Sequence, residues 1–388
     1  MDFKLTPEQQ ELVDRIDEVG MREFRPAAFE QRFRRKVPRE NLETLGAMGV
    51  LGICLPEEYG GSARPYLDGL LAIERIARAC PVTGDYAVFA ICGPAMFIAQ
   101  WGTDYQKEKY VTPVVSGKSG CWISLTEPNA GTALTDLSTQ ATLIEAGCRL
   151  NGFKRPVGFA TGADYFLVFV RFSEGTNGIG AVIVDRDTPG LEIGEPRHWM
   201  SGTPWCELTF NDAEIPRENV LFTGHAMRRL LGSYSIERCA AGALVLGIAQ
   251  IAFEKALEYV ETRRQFGRPI SDFQSIQNKI ADMFIRMESA RLLLHKAISV
   301  QDSDGLPPRA LSSAAKVAAV EAACFVTDET MQIHGAMGMS VESEPLEWLY
   351  RYVRPFAVAG GTSEIHRSMI AGELIGRRFE HRPSPPPS

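Results

Sequence analysis

The residue periodicities predict an α+β fold in three parts: an N-terminal helical domain over residues 1–120, a middle antiparallel β domain over 121–225, and a C-terminal four-helix bundle over 226–378. Two observations carry this. In the flanking parts apolar residues recur at i, i+3 and i+4, the spacing of one helix face. Between them the period falls to two, in short runs rich in β-branched and aromatic residues with no long helical pattern separating them. Successive strands of this kind favour a small antiparallel sheet or barrel.

Taken in order, Thr6-Pro7-Glu8 is a helix start: a capping hydroxyl, proline at the first helical position and an acid in the first turn, leading into EQQELVDRIDEVGMREF. LPEEYGGSARP is a turn-rich loop, and YLDGLLAIERIARAC at 66–80 is an amphipathic helix. The strands are CWISL, ADYFLVFVRF, GAVIVD and CELTFNDAEIP, parted by Gly, Pro, Asn and Asp. The bundle helices are AGALVLGIAQIAFEKALEYVETRRQF, FQSIQNKIADMFIRMESARLLLHKAI and RALSSAAKVAAVEAACFVTDETMQIHG. RPSPPPS cannot pack a core, so residues 379–388 are expected to form a disordered tail.

Composition narrows the function. The 388 residues leave room for a sizeable core, and 45% hydrophobic with 23% charged is ordinary for a globular protein. A net charge of −7 argues against nucleic acid as a partner. No apolar run approaches the ~18 residues of a membrane span, and MDFKLTPEQQ is too polar for a signal peptide, so no membrane partner is expected. The eight cysteines are scattered without a CxxC pair and read as reduced thiols in a cytoplasmic protein. The six histidines show no HExxH spacing, so no metal site is expected. GIGAVIV lacks the third glycine of a dinucleotide fingerprint, which excludes the usual nucleotide-binding turn.

Four motifs follow in order: SLTEPNAGT at 124–132, RRQFGRPISDFQSIQ at 263–277, QIHGAMG at 332–338 and GGTSEI at 360–365. With MDFKLTPEQQ and LPEEYGG they give a sequence that resembles the acyl-CoA dehydrogenase family of flavoproteins over about residues 1–378. The resemblance implies FAD as cofactor, held in a cleft between the sheet domain and the bundle. It implies that Leu125, Thr126, Gly131, Thr132 and Gly158 border the flavin, and that Arg263 reaches the pyrophosphate of a neighbouring subunit's FAD. A guanidinium suits that task because its planar fork bonds two phosphate oxygens at once. Phe266, Gln274, Gln332 and Gly335 complete that nucleotide site, and Thr362 and Glu364 fall to the adenine and ribose side. Thr362-Ser363 also reads as a helix start, whose free N–H groups make an anion site.

The family's LNGxKxWITN segment stands here as LNGFKRPVGFATG, residues 150–162. A gapless match turns the flavin-facing aromatic into Pro156 and the threonine near N5 into Gly158. A three-residue slip restores Phe159 and Thr161 at the cost of the Lys154 spacing. Both registers stay open.

The catalytic base is also displaced. Many members carry glutamate just before the Gly-Thr, where this chain reads Ala359-Gly360-Gly361-Thr362. Isovaleryl- and long-chain acyl-CoA dehydrogenases carry theirs in a Glu-Arg pair on a bundle helix instead. Here GSYSIERCAAGAL at 232–244 puts Glu237 and Arg238 there, as in crotonobetainyl-CoA reductases. The resemblance thus implies α,β-dehydrogenation of an acyl thioester, with Glu237 taking the Cα proton and a hydride passing from Cβ to flavin N5. Asp136, Glu364 and His366 are weaker candidates, a lone helical histidine being more often structural.

For the substrate the resemblance implies Thr132, Tyr234, Ser235, Arg238, Ala359 and Gly360. Ser235 and Ala133 replace two family polar contacts to CoA, which leaves acyl-CoA and acyl carrier protein thioesters both open. The vacancy at Ala359-Gly360 suits a branched or substituted acyl chain, unless Trp122 or Tyr234 fills it. Implied partners are an electron-transferring flavoprotein and further copies of the chain, in a homotetramer or dimer. The rival readings are an oxidase, a desulfinase or a monooxygenase on the same fold, and a catalytically inactive FAD-binding scaffold.

Overall fold

The computed structural model describes residues 4–30, 37–300, 305–343 and 345–377; the expected tail at 379–388 lies outside them. Thr6 caps α1 (Pro7–Val19) through a reciprocal pair of bonds with Gln9. The N-terminal part continues through α2 (Arg39–Ala47), α3 (Tyr66–Ala79), α4 (Pro81–Cys92), α5 (Pro94–Trp101) and α6 (Asp104–Tyr110). Prolines at the first position start α4 and α5, where their missing N–H costs nothing.

The sheet comprises β1 (Cys121–Ser124), β2 (Gln140–Ile144), β3 (Gly147–Gly158), β4 (Tyr165–Arg171), β5 (Ile179–Asp185), β6 (Leu191–Ile193), β7 (Arg197–His198), β8 (Pro204–Pro216) and β9 (Val220–Phe222). Among the described residues its order is β6-β8-β3-β2-β4-β5-β9, with β1 on β4 and β7 on β8. Most pairs are antiparallel, but β1 runs parallel to β4, and β2 meets β4 in parallel at Gln140 and Arg171. The unbroken apolar runs of β4 and β5 follow from burial on both faces. α5 covers one of them, with Phe97 edge-on to Phe169 at 5.8 Å.

The bundle consists of α7 (Ala226–Thr262), α8 (Gln274–Ser299), α9 (Arg309–His334), the short α10 (Leu346–Val353) and α11 (Ser363–Ile375). α7 starts earlier than its apolar pattern suggested and is buried almost all round. A Cβ at Gly247 would lie 2.3 Å from the Glu74 carbonyl oxygen of α3, and one at Gly242 2.6 Å from Leu294 of α8. Glycine is what lets those elements close on α7.

The expectation about membrane-length segments needs amending. Pro81–Trp101, Ala226–Thr262 and Arg309–Met339 have the length and mean hydropathy (1.5, 1.5 and 1.4) of a span. Their apolar windows are 89%, 89% and 61% buried inside the protein, because they pack against neighbours on several sides.

One ion pair ties the sheet to the loop after β1. The Lys154 ammonium is wholly buried and donates to Glu127 Oε1 at 2.7 Å and to the Leu125 carbonyl at 3.2 Å. Glu127 also accepts from the Ser138 N–H and hydroxyl and from the Thr139 N–H. Burial would raise the Glu127 carboxyl, but Lys154 and these donors bring it down to about 2. Burial pulls Lys154 down to about 8 against the pull of Glu127, so the pair is ionised at neutral pH.

Lys154→Met leaves the Glu127 charge buried without a counterion, and is expected to cost about 3–5 kcal/mol of stability, read from the urea midpoint. Adding Glu127→Gln should recover part of that loss. Because the folded-state value of Glu127 lies below its ordinary 4.5, its contribution is full above that pH and fades as pH falls toward about 2. The Glu127→Gln variant is expected to lack that part of the acid dependence.

Candidate active site

Glu237 projects from α7 toward the loop that precedes α11. In that loop Gly360 and Gly361 hold φ of +66° and +100°, a region costly for other residues. A Cβ on Gly360 would sit 3.3 Å from Glu237 Oε2, 3.6 Å from Oε1 and 3.9 Å from Cδ. A side chain at position 360 and the Glu237 carboxylate would therefore face one space. The atoms nearest Gly360 are those of Glu237, not of Trp122 or Tyr234.

Glu237 Oε2 is shielded from solvent and has no hydrogen-bond partner among the described residues. Burial pushes its pKa up, partly opposed by the charges of Arg238 and Lys316. Arg238 is itself buried, with Nε and Nη1 lacking partners and Nη2 3.8 Å from Met369 Sδ. Burial lowers its pKa, against the raising effect of Glu237. Tyr234 and Ser235 precede Glu237 on the same helix, Ser235 buried and Tyr234 half-buried.

The glycine loop is clamped from below. Lys316 Nζ donates to the Gly361 carbonyl at 2.8 Å, and His366 Nε2 to the Gly360 carbonyl at 3.1 Å. Ser313 Oγ lies 3.3 Å from His366 Nδ1, so its hydroxyl fixes the tautomer by donating there. Burial and the nearby Arg238 and Lys316 charges bring His366 down to about 3, so it is neutral. Burial also brings Lys316 down to about 8, against Glu237. His366 is thus a positioning group. Ser313 and Lys316 escaped the sequence reading; the available signal was one lysine, three residues after a serine, in an otherwise apolar helix face.

Thr362 caps α11 by accepting from the Ile365 N–H at 3.2 Å. The carboxyl of the exposed Glu364 is lowered by its backbone N–H and the Thr362 hydroxyl.

Leu125 is buried, Thr126 half-buried, and Gly131 and Thr132 are exposed on the loop after β1. The buried Ser124 hydroxyl beside them has no hydrogen-bond partner among the described residues. Arg155 N–H bonds to the Thr126 carbonyl at 2.9 Å, joining this loop to β3. A register shift in the β3–β8 pairing between Lys154 and Val157 keeps Lys154 in its ion pair. Beyond it Gly158 faces the Trp122 indole, Phe159 packs 4.8 Å from the Tyr86 and Trp122 rings, and Thr161 is exposed.

The other expected cofactor residues lie elsewhere. Arg263 ends α7, 26 residues after Glu237 and so about 39 Å away along the axis at 1.5 Å per residue. Tyr259 stacks on His334 at 4.0 Å, bringing Gln332 and Gly335 to that same end. Arg263, Gln274, Gln332 and Gly335 are exposed, and Phe266 is 93% exposed on the hairpin after α7. The chain thus carries two separate sets: Glu237, Arg238, Gly360 and Thr362 at one place, and Arg263 with its companions at another. The donors fit FAD: an orphaned hydroxyl at Ser124 on the sheet side, the N-terminus of α11 after the glycine loop, and an exposed guanidinium at Arg263 for phosphate. They fit one FAD only if the distant set comes from a second copy.

Three family models match the chain. The acyl-CoA dehydrogenase N-terminal, middle and C-terminal domain models match residues 6–118, 123–213 and 226–375. The chain is 33% identical to the 3-sulfinopropanoyl-CoA desulfinase of Paraburkholderia xenovorans, over 98% of this chain and 100% of that protein. The butyryl-CoA dehydrogenase structure from Megasphaera elsdenii superposes with a TM-score of 0.91 at 32% identity, covering 97% of this chain and 100% of the other. The FAD complex of PigA superposes with a TM-score of 0.91 at 27% identity, covering 96% and 99%. This chain therefore belongs to the acyl-CoA dehydrogenase family of FAD-dependent oxidoreductases.

Proposed function

We propose that the protein dehydrogenates an acyl thioester between Cα and Cβ, with Glu237 as the base. One observation carries the reading: a half-buried carboxylate, its Oε2 shielded from solvent and without a partner among the described residues, lies against the Gly360 position. Desolvation makes that carboxylate a stronger base than an exposed one, matched to a weakly acidic C–H beside a thioester carbonyl. Bound FAD supplies the hydride acceptor. The charges of Arg238 and Lys316 oppose the rise that burial gives Glu237, and the clamp on the Gly360 and Gly361 carbonyls fixes the loop beside it.

Leu125, Thr126, Gly131, Thr132, Gly158, Thr362 and Glu364 serve the flavin of the same chain in this reading. Arg263, Phe266, Gln274, Gln332 and Gly335 serve that of a second copy, in a tetramer or dimer. The distance between the two sets supports this. The thioester is carried by CoA or by an acyl carrier protein, along Thr132, Tyr234, Ser235, Arg238, Ala359 and Gly360. Electrons leave to an electron-transferring flavoprotein. All eight cysteines are free thiols, which suits a cytoplasmic enzyme. The desulfinase relative supports a second reading, removal of a sulfinate group from a sulfinylated acyl thioester. Retention of Glu237 favours dehydrogenation. Anaerobic flavin bleaching by simple acyl thioesters, without sulfite release from 3-sulfinopropanoyl-CoA, supports the first reading; the reverse pattern supports the second.

Glu237→Gln is expected to keep FAD and lose turnover by about 10²–10⁴-fold. The wild-type rate should fall on the acid side with a midpoint above the usual glutamate range, since the base acts deprotonated and its pKa is raised. Wild-type turnover in the variant would place the base elsewhere. Arg263→Ala is expected to lower FAD retention after gel filtration, and full occupancy would remove the role given to the second copy.

A further inference from the structure

Where β9 hands over to α7 the surface folds in on a cavity of about 600 Å³, with Asn177, Val220, Phe222, Thr223, His225 and Arg229 in its lining. That volume is ordinary for a small-molecule site. None of its lining residues belongs to the flavin or thioester sets given above. Close approach fixes the turn that shapes it. The His225 N–H donates to the Asn177 carbonyl at 2.9 Å, and a Cβ on Gly224 would lie 2.7 Å from that same oxygen. The half-buried residues of β9 give the cavity an apolar wall.

Arg229, in the first turn of α7, is half-buried, its guanidinium carbon 4.0 Å from the centre of the Phe222 ring and 5.2 Å from that of Trp101. Stacking holds a guanidinium by its face and leaves its N–H edge for an acceptor. Among the described residues Arg229 makes no hydrogen bond or ion pair along that edge. No Asp or Glu lines the cavity among the described residues, so its fixed charge is positive in a chain whose net charge is −7. A cation would be repelled there, and a wholly apolar ligand would strip water from the guanidinium without replacing it. We propose that this cavity binds a small organic anion, a carboxylate or phosphate monoester with an apolar body. Its head meets the Arg229 fork, which can bond two oxygens at once, and its body lies against β9. Arg229 stands eight residues before Glu237, about 12 Å along α7 at 1.5 Å per residue, so the site is separate from the one that takes the acyl group. A purely structural cation–π role for Arg229 would give no preference for anions.

The inference does not depend on the dehydrogenase reading. Phenyl phosphate, benzoate and the neutral benzyl alcohol are titrated into the FAD-loaded enzyme by calorimetry, with and without saturating CoA. At least one anion is expected to bind about 10-fold or more tighter than benzyl alcohol, and the tighter of the two tells phosphate from carboxylate. Arg229→Leu should remove that preference while leaving FAD content and the weak binding of benzyl alcohol unchanged. Arg229→Lys, which keeps the charge without the planar fork, should fall between them. Should Arg229→Leu lose FAD, Arg229→Lys and the wild-type ratios decide. Equal affinity for all three probes, or an unchanged preference in the Arg229 variants, overturns the site. Displacement of the anions by CoA would make the cavity part of the thioester site and overturns it as a separate one.

Discussion

The burial of α7 is the constraint on which the rest of the molecule depends. Helices from the N-terminal part and the bundle close on it, through glycines where backbone or side-chain atoms come too near for any other residue. Glu74 of α3 reaches Arg291 of α8, and Arg78 of α3 reaches Glu254 of α7, so charged groups at the rim fix the same crossing that the small residues permit. The chemistry is a by-product of that packing. A glutamate on a surface helix would be an ordinary acid; on this helix it loses its water and gains basicity. The same loss of water acts on Arg238, Lys316 and His366, each shifted toward its neutral form.

The sheet domain contributes differently. Its hydrophobic interior would hold it together without Lys154, yet a charged pair is buried there, and the loop from Leu125 to Ala130 takes its shape from it. Buried ion pairs are seldom chosen for stability alone. This one fixes where the carbonyls and N–H groups of the loop after β1 point, which an apolar contact of equal volume would leave undetermined.

Much of this was legible in the sequence, for reasons that differ by residue. Thr6, Pro7 and Gln9 announce α1 because capping is local, and β4 and β5 declare themselves by unbroken apolar runs. The vacancy at Gly360 and the glutamate at 237 were legible too, because both are visible in one dimension, and the fold brings the two positions together. What was not legible depends on approach between distant segments. The register shift after Lys154 let Phe159 join an aromatic cluster without moving the lysine, an outcome no linear alignment of LNGFKRPVGFATG could choose. Ser313 and Lys316 lie on a helix read only by its apolar face, and their meaning comes from what the fold sets opposite them.

The glycine loop has a consequence for how such an enzyme changes over time. When the proton acceptor is borne by a loop beside the substrate, every alteration of that loop disturbs catalysis and fit together. Here Glu237, the acceptor we propose, sits on a buried helix, and the loop is held through its carbonyls by Lys316 and His366 rather than by its own side chains. With Glu237 in that proposed role, the residues at 359 and 360 are released from chemical duty. Selection can reshape the wall they form, one substituent at a time, without first having to preserve a base there.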